Sequence, residues 1–169
     1  SMYVENGIKS NCTCPFVQGE PYFLRTAFKE LNQKEIISPV INFDNGYYKA
    51  KWQLIKIGNR LGFSKEQSSD AFDFAVQKQM SFHKEIKEIG RSMLEELEKD
   101  TSKIGIVIFG RAYNAFSKKA NMGIPHKFAS RGILNIPFDF LPCEDEEPYD
   151  YMYWPVWQMM LKAARFVKK

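Results

Sequence analysis

The apolar positions change period three times along this chain, and each change marks a different element. Near the start, Tyr22-Phe-Leu-Arg-Thr-Ala-Phe28 is a dense apolar and aromatic run bounded by Gly19 and Pro21. At that length it fits either a short strand or a buried helical turn. Ile36-Ile37-Ser38-Pro39-Val40 follows as an extended connection, because Pro39 has no N–H for a central strand. Asp44-Asn45-Gly46 is a turn signal. From Tyr47 to Leu61 the residues Leu54, Ile57 and Leu61, flanked by Ile55 and Gly58, share one helical face. Gly62 stops that helix, and Ser64-Lys-Glu-Gln67 is a capping box that starts the next. Ala71, Ala75, Phe82, Ile86, Ile89, Met93 and Leu97 then recur at helical spacing, with Phe72 and Val76 widening the stripe. The link between the two helices is very short, which predicts an antiparallel helical hairpin over about 47–99.

Beyond it the pattern turns continuous. Ile104-Gly-Ile-Val-Ile-Phe109 has no polar face, as expected of a strand buried on both sides of a parallel sheet. Asn121-Met-Gly-Ile-Pro125 opens a helix running to about Arg131, and Gly132 closes it. Leu134 to Phe138 is a further strand, placed near an edge by Pro137. Strand, crossover helix and strand form a βαβ unit over about 104–139, right-handed by the usual rule. A last helix covers about 154–169. The expected sum is an α/β domain with the helical hairpin inserted between its first strand, at 22–28, and its second.

Composition narrows the function classes. The chain has 169 residues, 44% apolar and 15% aromatic, enough to bury a core and too aromatic for disorder. No apolar run reaches the ~20 residues of a membrane span, and the first residues do not form a signal peptide. Three cysteines, an odd number, argue against a disulfide framework and for a reducing, cytoplasmic setting. The net charge of +4 is spread over alternating signs, apart from the acidic run Glu144-Asp145-Glu146-Glu147, read as a solvated loop, and a basic end at Lys162, Arg165, Lys168 and Lys169. With no RNP motif, zinc-finger spacing or basic helix carrying aromatics, a nucleic-acid partner is not expected. Ser1-Met2 resembles a protease scar, and the final helical pattern runs out without a stop signal. Residues 3–169 are thus expected to form one α/β domain, or part of one, from a longer protein.

Candidate chemistry sits in few places. Gly110-Arg111-Ala112-Tyr113-Asn114 follows the buried strand, and ligands of open parallel sheets bind beyond the carboxyl ends of strands. Arg111 can fork onto a carboxylate or phosphate, with Tyr113 and Asn114 as further donors, or pair with an acidic neighbour. This is neither GxGxxG nor a Walker A loop, and the next helix is expected some ten residues on. Cys12 and Cys14, alternate residues in an extended chain, can turn both sulfurs to one metal or cluster. Further ligands would have to come from Cys143, His83 or His126. His83 lies in the long helix as a surface or half-buried residue, and His126 in a first helical turn that can border the same crevice as Arg111. No serine occupies a nucleophile elbow, and no catalytic constellation is complete. The aromatic stretch Tyr149-Asp-Tyr-Met-Tyr-Trp154 reads as core first and interface second.

At Cys14-Pro-Phe-Val-Gln-Gly-Glu-Pro-Tyr22 and at Gly110-Arg111-Ala112-Tyr113-Asn114 the chain resembles the acyl-CoA dehydratase activase-related proteins, relatives of the 2-hydroxyacyl-CoA dehydratases and their activators. Ser38-Pro-Val, Asn121-Met-Gly-Ile-Pro125 through Gly132, Met152-Tyr-Trp-Pro155 and Lys162-Ala-Ala-Arg-Phe166 fit in the same order. The resemblance implies a Rossmann-like domain that helps hold a 4Fe-4S iron–sulfur cluster in a longer parent. It also implies electron transfer driven by an ATP-dependent activase, toward a CoA thioester or another substrate that is hard to reduce. Cys14 matches the Cys-Pro element, whereas Cys12 and Cys143 match no cysteine of the family. The family's Gly-Arg-Pro-Tyr carries Ala112 in place of its proline here. The ATPase region and a later cysteine-containing segment are expected outside this chain. Two other readings compete: a docking module for the activase or a partner subunit, and a plain CoA- or nucleotide-binding domain.

Overall fold

Residues 14–30, 36–43 and 46–168 are described by a computed structural model of the chain. They divide into two compact units: residues 1–79 with 150–156, and 80–149 with 157–169.

In the first unit, Pro15 occupies the first turn of helix α1 (Pro15–Ala27), where its missing N–H leaves nothing unsatisfied. The run at Tyr22–Phe28, expected as a strand or buried turn, is the second half of this helix and is exposed throughout. A short apolar run does not distinguish the two periods, and Leu24, Arg25 and Ala27 favour helix. The hairpin therefore precedes the sheet and does not interrupt it.

Helix α2 (Tyr47–Arg60) ends in a Schellman turn: Phe63 N–H donates to Gly58 O at 3.0 Å and Gly62 N–H to Asn59 O at 3.1 Å, with Gly62 at φ 90°. Helix α3 (Lys65–Lys99) then starts from the expected capping box, in which Gln67 N–H donates to Ser64 Oγ at 3.1 Å and Ser64 N–H to Gln67 Oε1 at 2.9 Å. Such a box contributes about 1 kcal/mol. The helices run antiparallel, as the pairs Gly58 with Ser68, Lys51 with Asp73 (2.7 Å) and Tyr48 with Phe72 show. Ala50, Phe72 and Val76 are the buried apolar residues of this seam.

The second unit holds the βαβ segment. Strands β1 (Gly105–Ile108) and β2 (Leu134–Pro137) pair in parallel, with Gly105 opposite Leu134 and Ile108 opposite Pro137. The sheet has two strands among the described residues, so a doubly wound Rossmann-like sheet is not what they form. Burial of β1 on both sides, as expected from its sequence, also fails: its residues are half-buried or exposed, and Ile104 beside it is 62% exposed. A strand with one neighbour cannot be covered as a central strand is. The crossover contains α4 (Ala112–Ala115), which begins directly after Arg111, and α5 (Ile124–Ala129). The helix expected only after ten residues is thus preceded by a single helical turn, and α5 ends before Arg131.

After β2 come a 3-10 turn (Phe138–Phe140), a strap at 141–149, and helix α6 (Pro155–Lys168). Ile136, Phe138, Leu141, Cys143, Met160 and Ala163 are buried, as is Ile86 of α3. The acidic segment is not a free solvated loop. Glu146 is only 8% exposed, Lys87 Nζ donates to Leu141 O at 2.6 Å and pairs with Glu144 at 3.0 Å, and buried Lys162 donates to Glu144 O at 3.2 Å. Arg165 Nη1 donates to Glu147 O at 3.0 Å, and fully buried Gln158 holds both the N–H and the C=O of Tyr149 at 2.9 Å. Tyr151, Tyr153 and Trp154, read first as core, are exposed.

Candidate functional site

The end of β1 is shaped by Gly110. Its φ of 156° is one that L side chains rarely adopt, and a Cβ there would lie 3.0 Å from Ala115 Cβ. The chain can therefore leave the strand and start α4 after only three residues, Phe109 to Arg111. Arg111 is the N-cap of α4, and its carbonyl accepts from the N–H groups of Asn114 and Ala115, both at 2.8 Å. Asn121 closes the far side of the turn: its Nδ2 donates to Ala115 O at 3.0 Å and its Oδ1 accepts from Gly123 N–H at 2.9 Å. Arg111 is half-buried and makes no ion pair among the described residues, while Asn114 is exposed and Tyr113 is 68% exposed. The expected pairing of Arg111 with an acidic neighbour is not present there. Gly110, Arg111, Tyr113 and Asn114 therefore stand together as one turn whose guanidinium is open to an anion.

His126 lies elsewhere in the same unit. With Met93, Pro125, Ala129 and residues 132–135 it lines an open, mostly apolar groove of about 550 Å³. This groove runs along the first half of β2, whereas the Arg111 turn follows the last residue of β1. Asn135 is the polar residue beneath it, donating to Pro125 O and Ile133 O at 3.1 Å each. Its Oδ1 is buried with no hydrogen-bond donor among the described residues.

The cysteines are divided between the units. Cys14 is the half-buried N-cap of α1 in the first unit, so its sulfur stands at the positive end of a helix dipole. Cys12 lies outside the described residues. Cys143 is buried in the second unit, where loss of solvent pushes its thiol above the ordinary range, opposed by the Lys87 and Lys162 charges. His83 on α3 is held below the usual imidazole range, first by desolvation and then by the Lys87 charge. No group of three or more His, Cys, Asp or Glu side chains converges on a metal position among the described residues. Cys14 offers one thiolate, and a closed cluster site needs four ligands. The described residues do not fit a complete cluster.

Around Cys14, helix α1 presents Phe16, Val17, Tyr22, Phe23 and Leu24 to solvent, and none of its residues is buried. The apolar side of an amphipathic helix is normally covered. Sequence patterning did not find this surface, because the run at 22–28 was expected inside the core. It placed Asn121 only at the opening of the next helix; the signal for its part in closing the turn was an Asn two residues before a glycine.

A family model described as "CoA enzyme activase uncharacterised domain" matches residues 1–141. No curated protein and no solved structure matches the chain. The matched span covers most of the 169 residues, and the chain belongs to this CoA enzyme activase family.

Proposed function

With family membership as the premise, we propose that this is a domain of a 2-hydroxyacyl-CoA dehydratase activase-related protein. Its role is to contribute to the iron–sulfur, electron-transfer site used in ATP-driven reduction or dehydration of a CoA thioester. The observation that carries the reading is Cys14: a partly covered thiol at the N-cap of a helix whose apolar side chains lack a cover. That is the appearance of half a site. A cysteine in this place can give one ligand to a 4Fe-4S cluster when other ligands, Cys12 among the candidates, close around it. What the chain's own residues do is simpler. Arg111, unpaired at the end of β1, binds and orients an anionic group, and Tyr113 and Asn114 supply neutral donors beside it. In the same reading the βαβ segment is the start of a Rossmann-like sheet, the partner is an ATP-dependent activase domain or subunit, and the setting is cytoplasmic.

A second reading is favoured by the surface of α1 itself. Five large apolar side chains on thirteen helical residues suit a docking face for the activase or a partner subunit, with no ligand role for Cys14. Anaerobic iron–sulfide reconstitution of the full-length protein separates the two. The first reading expects the Cys14→Ser protein to lose iron and to change its absorption and EPR spectra. Unchanged iron content and spectra would remove Cys14 from the site.

A further inference from the structure

Helix α2 packs against α3 through the side that holds Ala50, and its opposite side is bare. There Tyr48, Lys49, Trp52, Lys56 and Arg60 are all exposed. At 3.6 residues per turn they share one face, a basic row at 49, 56 and 60 beside an aromatic row at 48 and 52. The basic row is about 16 Å long at the helical rise per residue. No acidic residue lies in α2. Lys51 pairs with Asp73, whereas Lys49 and Lys56 make no ion pair among the described residues.

Both rings are held from within the unit. Lys56 Nζ lies 4.3 Å from the centre of the Trp52 ring, and Tyr48 meets Phe72 edge-on at 6.0 Å. Trp52 and Tyr48 nevertheless remain 54% and 60% exposed. Rings already held lose little freedom when a partner arrives, and Trp and Tyr are common interface anchors.

We propose that this face of α2 docks an acidic helix of another protein, with carboxylates at three- and four-residue steps beside an apolar row. The carboxylates meet Lys49, Lys56 and Arg60, and the apolar row covers Trp52 and Tyr48. The chain's own acids do not supply such a helix. Glu5, Glu20, Glu35 and Asp44 each stand without a second carboxylate within four residues. Glu88, Glu95 and Glu96 of α3 are paired with Lys84, Lys99 and Lys103, and the strap at 141–149 is held by Lys87, Lys162 and Arg165. A second copy is therefore the weaker occupant. Glu66 and Asp70 are exposed on the turns of α3 that adjoin α2, so the positive strip is one helix wide and repels a continuous phosphate backbone. A membrane needs an apolar helix face to insert, and that of α2 is turned into the seam. Neither Cys14 nor α1 takes part, so loss of iron in Cys14→Ser leaves this docking face unchanged.

Amide NMR titration of the 169-residue chain tests it. The probe is an alanine-based helical peptide with Glu on one row and Leu on the next. Its Gln counterpart, an oligothymidylate and phosphatidylserine vesicles are run beside it. The Glu peptide should shift amides within 48–60 and bind at least about tenfold tighter than the Gln peptide. Lys49→Gln with Lys56→Gln, and separately Trp52→Ala, should each weaken it about tenfold, with helix content unchanged by circular dichroism. Lys118→Gln with Lys119→Gln, exposed in the other unit, should bind as wild type. Equal binding of the two peptides, an equal loss in the Lys118 and Lys119 variant, or tighter binding of the oligothymidylate or the vesicles overturns the proposal. So do α2 shifts that grow with protein concentration in the absence of peptide, which would make the partner a second copy.

Discussion

Gly90 is the point in the second unit where one substitution sets two opposing effects against each other. It lies buried in α3 against the 3-10 turn, and a Cβ built on it would fall 2.7 Å from the carbonyl carbon of Phe140 and closer still to its oxygen. In an exposed helix, Gly→Ala stabilises by about 0.8–1 kcal/mol. Here the carbonyl would have to retreat by on the order of 1 Å, and overpacking of that kind costs about 1–3 kcal/mol. The turn has little room to retreat. Phe138 and Leu141 on either side are 3% and 0% exposed, and Lys87, one turn earlier on α3, holds Leu141 O at 2.6 Å. Lengthening that charge-assisted bond removes up to about 1.5–3 kcal/mol more. Gly90→Ala should therefore destabilise by about 2–3 kcal/mol net, lowering Tm by about 4–12 °C for a chain of this size. Thermal and urea melts followed by circular dichroism read the effect. Ser92→Ala, on the exposed side of the same helix, should change stability by no more than a few tenths of a kcal/mol. A Gly90→Ala protein that melts at or above the wild-type temperature would refute the reasoning.

Three other outcomes follow from the same structure. Gln158→Leu strands the N–H and C=O of Tyr149 without their partner, and should lower stability by about 1–3 kcal/mol in urea titrations. Burial holds the Cys143 thiol protonated where an unfolded chain would ionise, so its contribution is present below the ordinary thiol range and lost as pH rises from there toward the raised value. The drop in urea midpoint between pH 7.5 and 9.5 should accordingly be smaller in Cys143→Ala than in wild type. His83 behaves in the opposite sense: its imidazole is depressed in the fold, so stability is full above about pH 6.5 and falls on acidification, and His83→Gln should flatten that limb.

What could be read in the sequence follows from how local each signal is. Ser64, Gln67 and Gly62 act on backbone groups within a few residues, and the capping box and Schellman turn form as expected. The parallel pairing of 104–109 with 134–138 was also legible, since two apolar runs joined by a crossover have few alternatives. Burial was not legible. An apolar run such as Tyr22–Phe28 or Ile104–Phe109 states that it needs a cover, not that the same chain provides one. The acidic strap failed in the reverse direction. Glu144 and Glu147 look solvated until Lys87 pairs with the Glu144 carboxylate and Lys162 and Arg165 donate to the Glu144 and Glu147 carbonyls, all three from helices far along the chain. Of the candidate site, the strand-end turn was readable from Gly110, because a glycine after a continuous apolar run marks a sharp exit. That His126 lines a separate groove along β2 depends on where α5 packs, which no local pattern encodes.

The central proposal is that Cys14 supplies a cluster ligand, beside an apolar surface of α1 that no described residue covers. Two single variants of the full-length protein, Cys14→Ser and Phe23→Ser, measured together for iron content after anaerobic reconstitution and for retention of the activase, test it most directly. The account predicts that Cys14→Ser loses iron while still retaining the activase. Full iron in Cys14→Ser, with activase binding lost in Phe23→Ser, would contradict it and leave the domain as a docking module.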